Sequence, residues 1–238
     1  MTHPVTPASA DSHGRHDTYK YIHKALRMAQ CDMLARLGRA DFNAADGTAA
    51  LADLRSLLVL GAAHLDHEET HIHVHLESRE PTSTQRLDNQ HASHRDSFAR
   101  LEGLIRQVEI ATSAQKAEAG HRLYLAYTLF VAHDFEHMHE EETANNERLW
   151  RLFSDGEIIA MERAIVASLS PDKAMANLRL MIPALTRDER VTFLSAMKPA
   201  MPPEVFAAII HNAAQPALAA NDFDDLSRRL GLNLTAAA

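Results

Sequence analysis

Two stretches of the chain carry the same donor groups in matched surroundings. His64-Leu-Asp-His-Glu68-Glu69-Thr70 and His137-Met-His-Glu-Glu141-Glu142-Thr143 superpose at a constant offset of 73. Each has a histidine four residues before a glutamate, which on an α-helix puts both side chains on one face, one turn apart. An imidazole nitrogen and a carboxylate oxygen at that spacing can hold one metal ion. A looser repeat lies ahead of each pair: His23-Lys-Ala-Leu-Arg27 corresponds to His91-Ala-Ser-His-Arg95 at an offset of 68. The unit is one histidine on a first helix and His-x-x-x-Glu on the next, made twice. Packed face to face, two such hairpins would bring His23, His64, Glu68, His91, His137 and Glu141 into a bundle core, which reads as a two-metal site.

Imidazole and carboxylate donors without thiolate suit iron, manganese or zinc rather than copper(I). Three donors per ion leave coordination positions open to water, oxo, O₂ or another small ligand, whereas structural zinc takes a closed set of four. A single His-x-x-x-Glu arises by chance in a histidine-rich chain. Two matched copies inside apolar stripes do not arise so readily, because unpaired polar groups in a core are costly. Other histidines compete for the role. His67, His71 and His75 fall on Glu140, Ala144 and Arg148 at the offset of 73, so the repeat sends them to the bundle end or to solvent. His94 corresponds to Leu26, so His91 is preferred over it, although His94 could swing into the site. His133, one turn before His137, reads as a supporting or entrance residue. Glu69 and Glu142 point to a neighbouring face suited to ion pairs. Tyr19, Tyr21, Tyr124 and Tyr127 read as amphipathic core residues, with a supporting hydroxyl or redox-active phenol as the rival reading. Cys31 lies about two turns beyond His23, too far to join it.

These residues need long helices to position them. Asp17 can cap a first helix to about residue 40, with His23, Leu26, Gln30, Met33 and Leu37 on one stripe. Asp46 or Thr48 can cap a second, running through Leu51, Leu54, Leu58 and His64 to about Glu77 and closed by Pro81. Thr82-x-x-Gln85 has the form of a capping box for a third, which carries His91, Phe98, Leu101, Ile105 and Val108. A fourth begins near Ser113 and carries Leu125, Leu129, Phe130 and His137 to about Phe153. Short links between them predict an all-α, up-down-up-down four-helix bundle over residues 17–153, after a disordered tail at 1–16. Residues 154–238 change character. Ser170-Pro171 is a cap followed by a first-turn proline, Thr186-x-x-Glu189 is a capping box, and Gly231 is placed to end the last helix. This stretch reads as a small appendage of short helices, a candidate surface for self-association or a protein partner.

Composition agrees. The chain has 238 residues, 46% hydrophobic, with only 8 Gly and 9 Pro, which favours helices over a turn-rich β fold. A formal charge of −8 disfavours nucleic acid, since no basic stripe is present to neutralise phosphates. One cysteine, Cys31, excludes an internal disulfide framework and suits a reducing cytoplasm. No secretory h-region is visible and no apolar run approaches the roughly 18 residues of a membrane span. A cytoplasmic protein with no membrane partner is expected. Of its 16 histidines, seven fall between His64 and His94 and four between His121 and His139, so the clustering is internal rather than terminal.

At these residues the chain resembles the hemerythrin-like, His-His-Glu cation-binding family, in its bacterial form. The resemblance covers roughly residues 17–153 and rests on His23, His64-x-x-x-Glu68, His91 and His137-x-x-x-Glu141. It implies a hemerythrin-like bundle and a non-haem di-iron centre (two Fe, with Mn or Zn as substitutes). In that reading His23, His64, His91 and His137 are terminal ligands and Glu68 and Glu141 bridge. The residue four after His91 is Arg95, so the His-x-x-x-His pair of oxygen-carrying hemerythrin is missing. The set is closer to relatives linked to nitric oxide, iron–sulfur repair, or iron and oxygen sensing. The expectation is a di-iron protein that binds O₂, NO or peroxide for sensing, storage or stress protection. The alternatives are a di-iron peroxidase, oxidase, NO reductase or iron–sulfur repair enzyme, and a metal-storing or structural bundle without turnover.

Overall fold

The computed structural model describes residues 14–232, and every regular element among them is helical. Most of the expected tail at 1–16 therefore lies outside the described residues. At its inner end Arg15 binds Asp155 Oδ1 and the carbonyls of Trp150 and Phe153, and His16 meets Glu162.

Helix α1 spans Lys20–Arg39, and Asp17 Oδ1 accepts from the backbone N–H groups of Tyr19 and Lys20 at its start. Helix α2, Ala45–Glu68, passes through a π-helical turn, Glu69–His73, into α3, Val74–Arg79. No side chain caps α2, so neither Asp46 nor Thr48 plays the expected part; Asp46 lies in its first turn, where it suits the positive end of the helix dipole. The reversal before α2 is instead held by close packing. A Cβ on Gly47 would lie 2.3 Å from the Asp41 carbonyl oxygen, and one on Gly120 would lie 2.2 Å from the ring of buried Phe42.

Helix α4 is Gln85–Ile110. The Thr82/Gln85 capping box does not form. Thr82 takes a left-handed φ of 68°, and Glu77 accepts the N–H groups of Thr82 and Thr84 and the Thr84 hydroxyl. Helix α5, Ser113–Glu140, begins with a Thr112/Gln115 capping box and passes through a second π turn, Glu141–Asn145, into α6, Asn146–Leu152. Both π turns thus sit at the glutamate of the repeat. Such single-turn insertions shift every residue beyond them around the helix axis and are frequent at functional sites.

By chain contacts the protein divides into two compact units. One gathers Ala29–Ile165 with the chain up to Lys20; the other gathers Tyr21–Met28 with the chain from Val166. In the first, Met33 and Leu37 of α1, Leu51, Leu54 and Leu58 of α2, Leu101, Ile105 and Val108 of α4, and Leu123, Tyr127 and Phe130 of α5 share one core. Leu125 and Leu129 do not join it: they are 53% and 54% exposed. The buried face of α5 runs Leu123, Tyr127, Phe130, Asp134, His137, and Leu125 stands about 200° around the helix from Leu123. A further cluster joins Tyr19, Ile72, Leu76, Leu149 and Phe153 to Ile158 and Met161 of α7, Asp155–Ser168.

In the second unit α8 (Pro171–Ala184), α9 (Arg187–Met197), α10 (Pro203–Ile209), α11 (Gln215–Ala217) and α12 (Ala220–Arg229) enclose their own core around Ile182, Leu194, Ala213 and Leu226. The Ser170 cap and the Thr186/Glu189 box are formed as read, and Gly231 closes α12 at φ 62°. Within this unit Lys24 pairs with Glu189 at 2.6 Å and Tyr21 meets Phe193 edge-on.

The Ala45–Arg79 helix contains one 18-residue window of mean hydropathy 1.3, long and apolar enough to cross a membrane by composition alone. The same helix places Leu51, Leu54 and Leu58 in the protein core, while only 28% of that apolar window is buried. Leu54 is fully buried among four helices. Leu54→Ala should cost about 2–5 kcal/mol, read as a lower urea midpoint with unchanged slope.

Candidate metal centre

The six residues singled out by the repeat are brought together. His23, His64, Glu68 and Glu141 each offer one donor atom, all within 4.8 Å of one another, and so do Glu68, His91, His137 and Glu141. Buried histidine and glutamate groups in this arrangement could hold a metal ion. The helical spacing does what it promised: His64 Nε2 lies 3.1 Å from Glu68 Oε1, and His137 Nε2 lies 3.3 Å from Glu141 Oε2. His91, from α4, approaches both carboxylates, at 3.6 Å from Glu68 and 3.7 Å from Glu141. His23, His91 and Glu141 are fully buried, Glu68 and His137 almost so, and the His64 side chain is 12% exposed.

Outer partners fix which nitrogen of each ring faces the centre. Gln90 donates its amide N–H to Glu140, so its Oε1 is the atom turned to His137 Nδ1, at 2.8 Å, and accepts a hydrogen bond from it. His91 Nδ1 lies 3.0 Å from Glu69 Oε1. Partial burial raises the Glu69 pKa, but hydrogen bonds from Arg95 and His91 outweigh it and hold the carboxyl below its ordinary range. An ionised carboxylate only accepts, so His91 Nδ1 also carries hydrogen. Both Nε2 atoms then present lone pairs, and they face each other at 3.1 Å. Two lone pairs at that distance repel unless a cation or a proton lies between them. The carboxylates sharpen the demand. Burial first, then the charge of Glu68, pushes the Glu141 pKa well above its ordinary value. Burial lowers the His91 pKa, against the pull of Glu68, so the ring favours the neutral form that ligates metal. A dication answers both problems at once, and an inward nitrogen with the opposite N–H held by an acceptor is the usual setting of a metal-bound histidine.

The competing histidines stay outside the donor groups. His71 is half-buried with its ring tilted against His67, and His75 and His133 are exposed. His94 does not join either group, but it is buried with its ring edge-on to His137, centroids 4.9 Å apart. Burial, then His91, brings its pKa down to about 4, so it is neutral at pH 7. Glu69 makes the ion pair expected of it, with Arg95 at 2.7 Å, and also orients His91. Tyr19 and Tyr127 are buried as read; the Tyr19 hydroxyl accepts from Asn145. Its pKa is raised well above the ordinary value, by burial and then by the charges of Glu141 and Glu68.

Sequence reasoning missed His73. Its Nδ1 lies 2.8 Å from Asp88 Oδ1, its ring stacks on His91 at 5.1 Å, and its buried Nε2 makes no hydrogen bond. Five residues beyond Glu68, it is off the ligand face of a regular helix, and the π turn shifts its register. The repeat held a signal: at the offset of 73 His73, the last residue of its π turn, matches Asn146, which comes directly after the second π turn and is fully buried. Gln90 and the Asp134–Gln30 pair (2.6 Å) were missed as well, since neither has a spacing signature.

No protein-family model matches the chain, no curated protein is significantly similar to it, and no solved structure matches it. The local geometry makes its own demand. Gln90→Leu removes the acceptor that holds the His137 ring and should weaken metal binding about 10–100-fold with helicity unchanged. His71→Ala, outside both donor groups, should leave affinity as it was; competition titration against a coloured chelator reads both.

Proposed function

We propose that residues 17–153 form an up-down-up-down, hemerythrin-like bundle around a non-haem di-iron centre that binds a small ligand (O₂, NO or peroxide), for sensing, storage or stress protection. In this reading residues 154–238 are a helical appendage. The observation that carries it is the overlap of the two donor groups: both contain Glu68 and Glu141, and each adds two histidines of its own. Two carboxylates shared between two imidazole pairs is the donor set of a bridged pair of ions, and the absence of thiolate favours iron or manganese over softer metals. Because both carboxylates are shared, each group counts four donors rather than three, and a six-coordinate ion such as iron would still keep positions free there, where tetrahedral zinc would not. An iron pair supplies reversible electron transfer and an open position for a diatomic or peroxide ligand.

The chain's own residues do the rest. Glu69 and Gln90 hold the His91 and His137 rings with Nε2 inward. Arg95 bonds both Glu69 and Asp66, which locks Glu69 in place. The apolar residues Phe98 and Phe130 pack edge to face between α4 and α5, and Phe130 also meets the His94 ring.

Untagged protein reconstituted anaerobically should hold about two irons per chain, as a doubly bridged donor set requires. Glu68→Ala or Glu141→Ala should lose both ions, while His64→Ala should lose no more than one. Loading should also raise the melting temperature, because free metal at a hundred times its dissociation constant stabilises the native state by about 2.7 kcal/mol. One ion or none after careful loading, or equal melting of apo and loaded forms, contradicts the reading.

A further inference from the structure

His73 ends the π turn that follows Glu68, and only 3% of it is exposed. Its Nδ1 lies 2.8 Å from Asp88 Oδ1, and the Thr84 hydroxyl meets the same carboxylate at 2.8 Å. A carboxylate accepts, so Nδ1 carries the ring hydrogen and Nε2 of the neutral ring keeps a lone pair. That nitrogen is buried and makes no hydrogen bond within the protein. Buried polar atoms are nearly always paired, so an exception needs a reason.

The position of the ring supplies one. His73 stacks on the donor His91, with centroids 5.1 Å apart and the planes 23° from parallel. Each of the two rings is held at Nδ1 by a carboxylate that reaches solvent: the Asp88 side chain is 47% exposed and that of Glu69 is 34% exposed. Nε2 sits toward the other edge of each ring. In His91 that edge faces Glu68, Glu141 and His137. In His73 it is turned into the protein, away from Asp88. His73 nevertheless belongs to neither donor group. It stands one step outside the ion, where a molecule bound to the ion would meet it. The other half of the repeat has a counterpart. Asn146 is five residues past Glu141, as His73 is five past Glu68. It is fully buried, and its Oδ1 makes no hydrogen bond either.

From this placement we infer that His73 is a binding residue for the small ligand, its Nε2 accepting a hydrogen bond from an O–H-bearing molecule of the peroxide class held at the ion of Glu68, His91, His137 and Glu141. The inference rests on the di-iron reading and narrows its ligand. O₂ and NO have no hydrogen to donate, so they leave the His73 lone pair as it is. Hydrogen peroxide has two, and keeps one even when it gives the other to water on binding. In a low-dielectric interior a hydrogen bond is stronger than in water, and an acceptor left without one is costly. One imidazole can therefore tell a ligand with a hydrogen from one without.

The test uses the full chain loaded with iron and oxidised, after metal content has been confirmed in the unaltered protein. Hydrogen peroxide is the O–H probe, and the azide anion, which has no hydrogen, is its counterpart. Dissociation constants for both come from initial stopped-flow absorbance amplitudes, and their ratio gives the preference for peroxide over azide. His73→Phe keeps a ring against His91 and removes the acceptor. It should hold its iron while that preference falls about tenfold, the worth of one hydrogen bond. His73→Gln, whose side-chain carbonyl accepts, should retain part of the preference. His73→Leu replaces the Phe variant should that one fail to fold. An unchanged preference in the variant without an acceptor overturns the proposal. So does loss of iron from a folded variant, which would make His73 a metal donor instead. A wild-type protein that takes up no iron overturns the di-iron reading itself, and is recognised before any ligand is added.

Discussion

Two carboxylates and two imidazole lone pairs converge in a space that water hardly reaches. Glu68 and Glu141 are buried, and the Nε2 atoms of His91 and His137 face each other at 3.1 Å. Charges and lone pairs of one sign in a low-dielectric interior are costly unless something positive lies among them. Much else in the first unit is arranged around that constraint. The rings are turned inward by acceptors on their far side, Glu69 for His91 and Gln90 for His137. Those acceptors are held in turn, by Arg95 and by Glu140. Asp88 orients His73 behind His91 in the same manner, and the Thr84 hydroxyl steadies Asp88. A regular helix would not bring His73 and Asn146 to buried positions so soon after each glutamate; the π turns at 69–73 and 141–145 do.

Much of this was legible in the sequence, for physical reasons. The i, i+4 spacing of His64 with Glu68 and His137 with Glu141 is a property of the helix, and the offset of 73 marks the repeat in the sequence itself. Caps with a defined side-chain geometry, at Ser170 and Thr186, also read correctly. Other features failed for identifiable causes. Asp46 and Thr82 matched cap patterns, but Gly47 packing closes one link and Glu77 takes over the other. Leu125 and Leu129, grouped with His137 in the sequence reading, are apolar but stand off the face of α5 that carries Leu123, Tyr127 and His137. The π turns are invisible to a period of 3.6, so His73 could not be placed. Gln90 and Asp134 act by reaching across to another helix, and no local pattern marks such contacts.

Around the donors the molecule divides into apolar and polar sides. Phe98, Phe130, Leu101 and Tyr127 close one side with ring packing. The other opens between α4 and α5 on amides, hydroxyls and imidazoles. His94 stands where the two meet, neutral at pH 7 because burial and neighbouring His91 oppose its protonation.

The central claim is that positive charge belongs between these six side chains, in two places that share Glu68 and Glu141. Anomalous X-ray diffraction from crystals of the iron-loaded protein, recorded on both sides of the iron absorption edge, tests it most directly. The account predicts two strong iron peaks per chain, one enclosed by His23, His64, Glu68 and Glu141 and one by Glu68, His91, His137 and Glu141. A map with a single peak, or with iron only at exposed histidines such as His75 or His133, would contradict it.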